Sequence, residues 1–183
     1  TYRSNEITIT NTQPVITEAR LLPQMPKLES RLTVEVKADD PDGDDVFFRY
    51  KWYINDEFTG EDNYLEPELK KGDSITVEVT PFDNEGDGKS IRLKNSAYNS
   101  LPVMKESELS FDGKTYTYQI KADDPDGDAL VYALKEGPEG MKLDPASGLI
   151  TWAVPDGKSG EHNIKISISD THGGELVVPL NLK

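Results

Sequence analysis

Apolar and polar residues alternate along this chain in short runs. Leu32, Val34 and Val36 fall on one side of such a run, with Thr33, Glu35 and Lys37 between them. The same period of two recurs in Val46-Phe48-Tyr50-Trp52-Ile54, Ile75-Val77-Val79, Tyr116-Tyr118-Ile120 and Ile164-Ile166-Ile168. No segment carries an apolar period of 3.6, and clusters of Gly, Pro, Asn and Asp separate the runs. This pattern predicts an all-β chain of antiparallel β-sandwiches. Trp52 is expected in a core on a central strand, and Tyr50, Tyr118 and Trp152 are expected to be core residues as well. Tyr53, Tyr64 and Tyr98 follow no such pattern.

The runs are written twice. KADDPDGD begins at Lys37 and again at Lys121, an offset of 84 residues. VEVTPFDNEGDG, around Asp83, is answered by ISISDTHGG, around Asp170, at an offset of 87. Asn11-Thr-Gln-Pro14-Val15 is answered by Asn99-Ser-Leu-Pro102-Val103, at an offset of 88. Three matches in one order imply two tandem modules, with the small differences taken up in loops. The reading is a sandwich over 12–98, a second over 99–183, and a leading segment over 1–11. Alternation over 6–10 followed by N-x-x-P resembles the end of a module, so that segment is expected to be the last strand of a preceding module or a linker. The opening TYRSNEITIT, which has neither Met nor an apolar stretch, reads as an excised or mature segment.

Charge narrows the partners. Among 183 residues, 34 acidic against 20 basic give a net charge of −14. Such a surface repels nucleic acid and anionic membranes, which bind through Lys and Arg, and suits divalent cations. Without cysteine there is no disulfide frame and no thiolate metal site. No apolar run reaches the roughly 18–20 residues needed to span a bilayer, so no direct membrane insertion is expected.

With these residues in view, the second module resembles the cadherin-like (dystroglycan-type) modules of bacterial surface proteins. It reads A-x-D-x-D-G-D, then LVYAL, GPEGMKLDPASGLITW and ISISDTHGG. Ala122, Asp124, Asp126, Tyr132, Leu134, Leu143, Asp144, Gly148, Ile150, Asp170 and Gly173 occupy the family's positions, with Ser147 where Thr is usual. The first module keeps ADDPDGDD and Asp83 but lacks LDPASGLI, and looks more like immunoglobulin-like repeats of the polycystic-kidney-disease type. Both resemblances imply extracellular, tandem, non-catalytic modules that space, adhere or bind glycan, sometimes with calcium. The linkers NTQP and NSLP and the segment TWAVPDGKSGE depart from the cadherin D-x-N-D-N and L-D-R-E motifs, so one ion per module is as far as the resemblance reaches.

The repeated acidic turn admits two readings. Pro presets one dihedral and Gly accepts the left-handed region, so D-P-D-G turns the chain without an ion. Five aspartates (39, 40, 42, 44, 45) and then four (123, 124, 126, 128) exceed what a turn requires, and Ca²⁺ takes six to eight oxygen ligands. The candidate metal ligands are Asp39, Asp40, Asp42, Asp44 and Asp83 in the first module, and Asp123, Asp124, Asp126, Asp128 and Asp170 in the second. An EF-hand is excluded. Counting from Asp40 or Asp124, the position-6 Gly is Asp45 or Ala129 and the position-12 Glu is Lys51 or Lys135. Any site must therefore be assembled from separate loops.

Catalysis finds no support in the residues. His162 and His172 sit in no nucleophile motif, no H-E-x-x-H occurs, and carboxylate pairs arise by chance in so acidic a chain. The sequence thus reads as a non-catalytic extracellular structural or adhesion module pair, stiffened by Ca²⁺ at the DPDGD turns. Its partners would be calcium, other modules of the same protein, surface proteins or glycans. The alternatives are a glycan- or protein-binding accessory domain of a secreted enzyme, and a filament subunit assembled by donation of the strand over 6–10.

Overall fold

A computed structural model of the chain describes residues 10–155 and 160–182, and the strand expected over 6–10 lies almost wholly outside them. The chain divides into two compact units, Thr1–Tyr98 and Asn99–Lys183.

Among its described residues the first unit has seven strands: β1 (Val15–Leu22), β2 (Leu32–Asp39), β3 (Phe47–Ile54), β4 (Glu57–Gly60), β5 (Tyr64–Leu65), β6 (Ser74–Phe82) and β7 (Ile91–Ser96). They pair antiparallel in two sheets, β1-β2-β5 and β4-β3-β6-β7. Strict alternation explains the packing. Leu32, Val34 and Val36 from one sheet meet Phe48, Tyr50, Trp52, Ile54, Ile75, Val77 and Val79 from the other in a single apolar cluster. Trp52 is 0 % exposed, and its Nε1 donates to the Asp62 carbonyl at 2.9 Å, which removes the cost of burying the indole N–H.

Among its described residues the second unit has nine strands: β8 (Val103–Met104), β9 (Glu108–Phe111), β10 (Thr115–Gln119), β11 (Ala122–Asp123), β12 (Val131–Glu136), β13 (Lys142–Leu143), β14 (Leu149–Ala153), β15 (His162–Ser169) and β16 (Glu175–Leu182). Sheets β13-β14-β10-β9 and β12-β15-β16 enclose the core, and β11 pairs with β8. Ile164, Ile166 and Ile168 pack there with Tyr116, Ile120, Tyr132, Ile150 and Trp152. Trp152 repeats the arrangement of Trp52, donating from Nε1 to the Glu139 carbonyl at 3.1 Å. Both units are thus all-β antiparallel sandwiches, as the alternation implies. Tyr50 and Tyr118 pack partly buried against their cores, whereas Tyr64 and Tyr98 are exposed.

LDPASGLI makes the β13–β14 connection. The Asp144 carboxylate accepts the Ala146 and Ser147 amides and the Ser147 hydroxyl, at 3.1, 2.7 and 2.8 Å. Serine therefore fills the role of the usual threonine through its hydroxyl alone. These bonds, the Ser147 amide foremost, hold the Asp144 carboxyl below the ordinary carboxylate range.

Candidate functional site

In the first unit the acidic turn leads from β2 in one sheet to β3 in the other, and in the second from β11, which pairs with β8, to β12. Its hydrogen bonding is the same in both. The Asp40 side chain accepts the Asp42 and Asp44 amides at 2.8 and 3.3 Å, and Asp124 accepts those of Asp126 and Asp128 at 2.9 and 3.3 Å. Gly43 and Gly127 follow at φ of 83° and 78°, the left-handed region that glycine enters without a steric penalty. The aspartates at positions one, three and five are therefore fixed by the turn itself.

The late aspartates close a second loop beside the last strands. Asp83 Oδ1 accepts the Glu85 and Gly86 amides, both at 2.7 Å, and Asp170 Oδ1 accepts those of His172 and Gly174 at 2.7 and 2.9 Å. The other oxygen of each faces the start of its unit. Asn11 Nδ2 donates to Asp83 Oδ2 at 3.0 Å, and Asn99 Nδ2 to Asp170 Oδ2 at 2.8 Å. The next residue completes the arrangement: the Thr12 amide donates to Asp42 at 2.6 Å, and the Ser100 amide to Asp126 at 2.5 Å. The three repeated motifs thus converge in one clamp per unit. The Asn and its successor hold the acidic turn and the late-Asp loop together.

Electrostatics follow from this wiring. Asp83 is 5 % exposed, and its carboxyl lies below its ordinary range because of the Asn11 bond first and the Glu85 amide next. Burial pushes Asp170 upward, but the bonds from Asn99, Gly174 and His172 and the charge on His172 outweigh it, and the net shift is downward. Gly174 is required for space, since a Cβ there would intrude on the Asp170 carboxylate and lie 3.0 Å from Asn99 Nδ2. Gly174→Ala is expected to destabilise the second unit by about 1–3 kcal/mol, the usual cost of overpacking. Thermal unfolding followed by circular dichroism checks it, and an unchanged midpoint would show that the carboxylate moves freely.

The candidate ligands fall into four groups. Asp124, Asp126 and Asp128 bring carboxylate oxygens within 4.8 Å of one another, the one such acidic group among the described residues. Asp40, Asp42 and Asp44 share the turn without that convergence. Asp39 and Asp123 are exposed at strand ends, Asp123 paired with Lys105, while Asp83 and Asp170 serve the loop clamps. His172 Nδ1 approaches Asp128 at 3.0 Å. His162 lies edge-on to Trp152, ring centroids 4.5 Å apart.

A test of fit for a hard cation is the set of oxygens left without a hydrogen bond. Among the described residues, three buried side-chain atoms are unpartnered: Asp40 Oδ2, Asp124 Oδ2 and Asn99 Oδ1. All three belong to the clamps and all are oxygens, the donor type Ca²⁺ requires. Asn11 and Asn99 were visible in the sequence only as markers of repetition. Their recurrence at nearly the same offset as the acidic turn was the signal of a shared site.

Comparison with known proteins agrees with this architecture. Residues 106–182 match the family model described as Putative Ig domain, a match confined to the second unit. An integrin beta-like protein A of Dictyostelium discoideum is 28 % identical over 109 residues, covering 57 % of this chain and 5 % of that protein. Among solved structures, Drosophila N-cadherin EC1-4 is 15 % identical at a TM-score of 0.39, covering 95 % of this chain and 51 % of that one. The Sidekick-1 immunoglobulin domains 1-5 are 15 % identical at 0.42, covering 96 % and 40 %. The chain thus spans about half or less of the proteins it resembles. The resemblance of the second module to immunoglobulin-like domains is borne out.

Proposed function

We propose that this chain is a non-catalytic, extracellular structural or adhesion segment whose second unit takes up Ca²⁺ at Asp124, Asp126 and Asp128. The observation that carries the reading is the buried Asp124 Oδ2, which has no hydrogen-bond partner although it belongs to the convergent carboxylate group. An unpaired buried carboxylate oxygen costs stability, and a hard cation relieves that cost. Asn99 Oδ1 is a further oxygen of the same clamp. Among its described residues the first unit offers only Asp40 Oδ2 and lacks the convergence, so its cation affinity is expected to be lower.

Cation binding here would act on the clamp rather than on a reaction. The turn is already set by its own amide bonds, and a bound ion would hold it against the Asn99–Asp170 pair, narrowing loop motion at that end of the unit. The extracellular assignment is supported by the family match of the second unit. Both Trp side chains are buried in cores, which speaks against a tryptophan platform for glycans.

Thermal unfolding of the whole chain in millimolar Ca²⁺ and in chelator tests the proposal. Free ion at a hundred times its Kd stabilises the folded form by about 2.7 kcal/mol, a clear upward shift of the second unit's midpoint. Asp124→Asn should remove the shift. A wild-type midpoint indifferent to Ca²⁺ sinks the calcium role and leaves the clamp as a purely hydrogen-bonded device.

A further inference from the structure

The outward face of the β4-β3-β6-β7 sheet differs from the rest of this acidic chain. Registers place Phe47 opposite Phe82, Arg49 opposite Thr80, Lys51 opposite Glu78 and Tyr53 opposite Thr76, with Phe58 beside Tyr53. On the far side, Lys94 lies opposite Thr76 and Arg92 opposite Glu78. Directly opposed residues share a face, and the alternate residues Phe48, Tyr50, Trp52 and Ile54 fill the core.

Two features stand out on it. The aromatic rings are organised and open to solvent: Phe47 is 48 % and Phe58 59 % exposed. The Phe47 and Phe82 centroids lie 5.6 Å apart, those of Tyr53 and Phe58 6.0 Å apart, and the Arg49 guanidinium stacks 4.3 Å over Phe82. The charge is also reversed. Both carboxylates here are committed, Asp87 to Arg49 and Glu78 to Arg92. Lys51 and Lys94 are exposed and in no ion pair among the described residues, so the face carries surplus positive charge on a chain of −14.

We infer that this face docks an acidic, apolar-anchored segment of another protein. Arg, Tyr and Phe are enriched at the cores of protein interfaces, and exposed rings flanked by unpaired ammonium groups match carboxylates alternating with apolar side chains. Remote acidic charge does not prevent this, because at physiological salt interactions beyond roughly 8 Å are largely screened. The tryptophan rows that bind sugars are absent from this face, which favours a polypeptide over a polysaccharide.

The test is NMR titration of the ¹⁵N-labelled full chain with a peptide of alternating Glu and Leu, with an alginate oligosaccharide as the second arm. The proposal expects peptide-induced shifts confined to β3, β4, β6 and β7. It also expects affinity to fall about tenfold in the K51E/K94E double variant, both positions being exposed and compatible with folding, and to fall with added salt. An R20E/K37E variant, altered at exposed positions of the β1-β2-β5 sheet, should bind like wild type. Absent or scattered peptide shifts, equal loss in the two double variants, or alginate acting where the peptide does not would each overturn it.

Discussion

Asp170→Ala should cost the second unit about 3 kcal/mol or more, among the larger losses available to a single substitution outside the apolar core. Asp170 is 8 % exposed and its carboxylate accepts from Asn99, His172 and Gly174, so truncation leaves these donors without an acceptor, the buried Gly174 amide among them. For a unit of this size that corresponds to a fall of roughly 10 °C or more in Tm. Asp170→Asn is the sharper comparison. Its oxygen still accepts the two amides, but its own amide group would face Asn99 Nδ2, donor against donor, so an intermediate loss is expected. The acid dependence has a definite sign. The folded-state carboxyl is lowered, so its contribution is fully present above the ordinary value of about 3.9 and is lost as pH falls below that value through the lowered one. Wild type should lose stability in that window, and Asp170→Asn should lose less there. Midpoints measured at pH 7 and pH 3 decide it, and parallel losses in the two proteins would exclude Asp170 as a source of acid lability.

Trp52→Ala should destabilise the first unit by about 3–5 kcal/mol, the range for removing a large buried aromatic side chain. The indole is wholly enclosed between its two sheets, and its loss also leaves the Asp62 carbonyl without the 2.9 Å bond from Nε1. Since small domains hold only about 0.05–0.15 kcal/mol per residue, such a loss brings the unit close to unfolding at ambient temperature. Hydrogen exchange at the β3 and β6 amides measures it directly. Protection retained at the wild-type level would mean that the core collapses around the gap.

The inward positions of the long strands were legible because each sheet buries one face only. Ile75-Val77-Val79 and Ile164-Ile166-Ile168 lie in the cores where alternation puts them. Strands of two to four residues, such as β5, β8 and β13, are too short to show a period. Their pairing is set by neighbours distant in sequence. The acidic turns were legible as turns, and their aspartates as candidate ligands. The clamp was not, for a chemical reason. Asn, Ser and Thr before a proline are ordinary loop residues, and nothing local marks Asn99 as the partner of an aspartate 71 positions on. Convergence of Asp124, Asp126 and Asp128 without a like convergence of Asp40, Asp42 and Asp44 depends on small differences in loop geometry, which two nearly identical strings do not carry.

The clamp also has a mechanical meaning. Asn99 and Ser100 are the first residues of the second unit and are tied to Asp170 and Asp126. A pull on the chain ahead of them would load those bonds before any sheet ladder felt it. Charged-acceptor bonds of this kind would act as a fuse at the mouth of the unit, yielding first under tension and reclosing when it is released, with the sandwich behind them still intact.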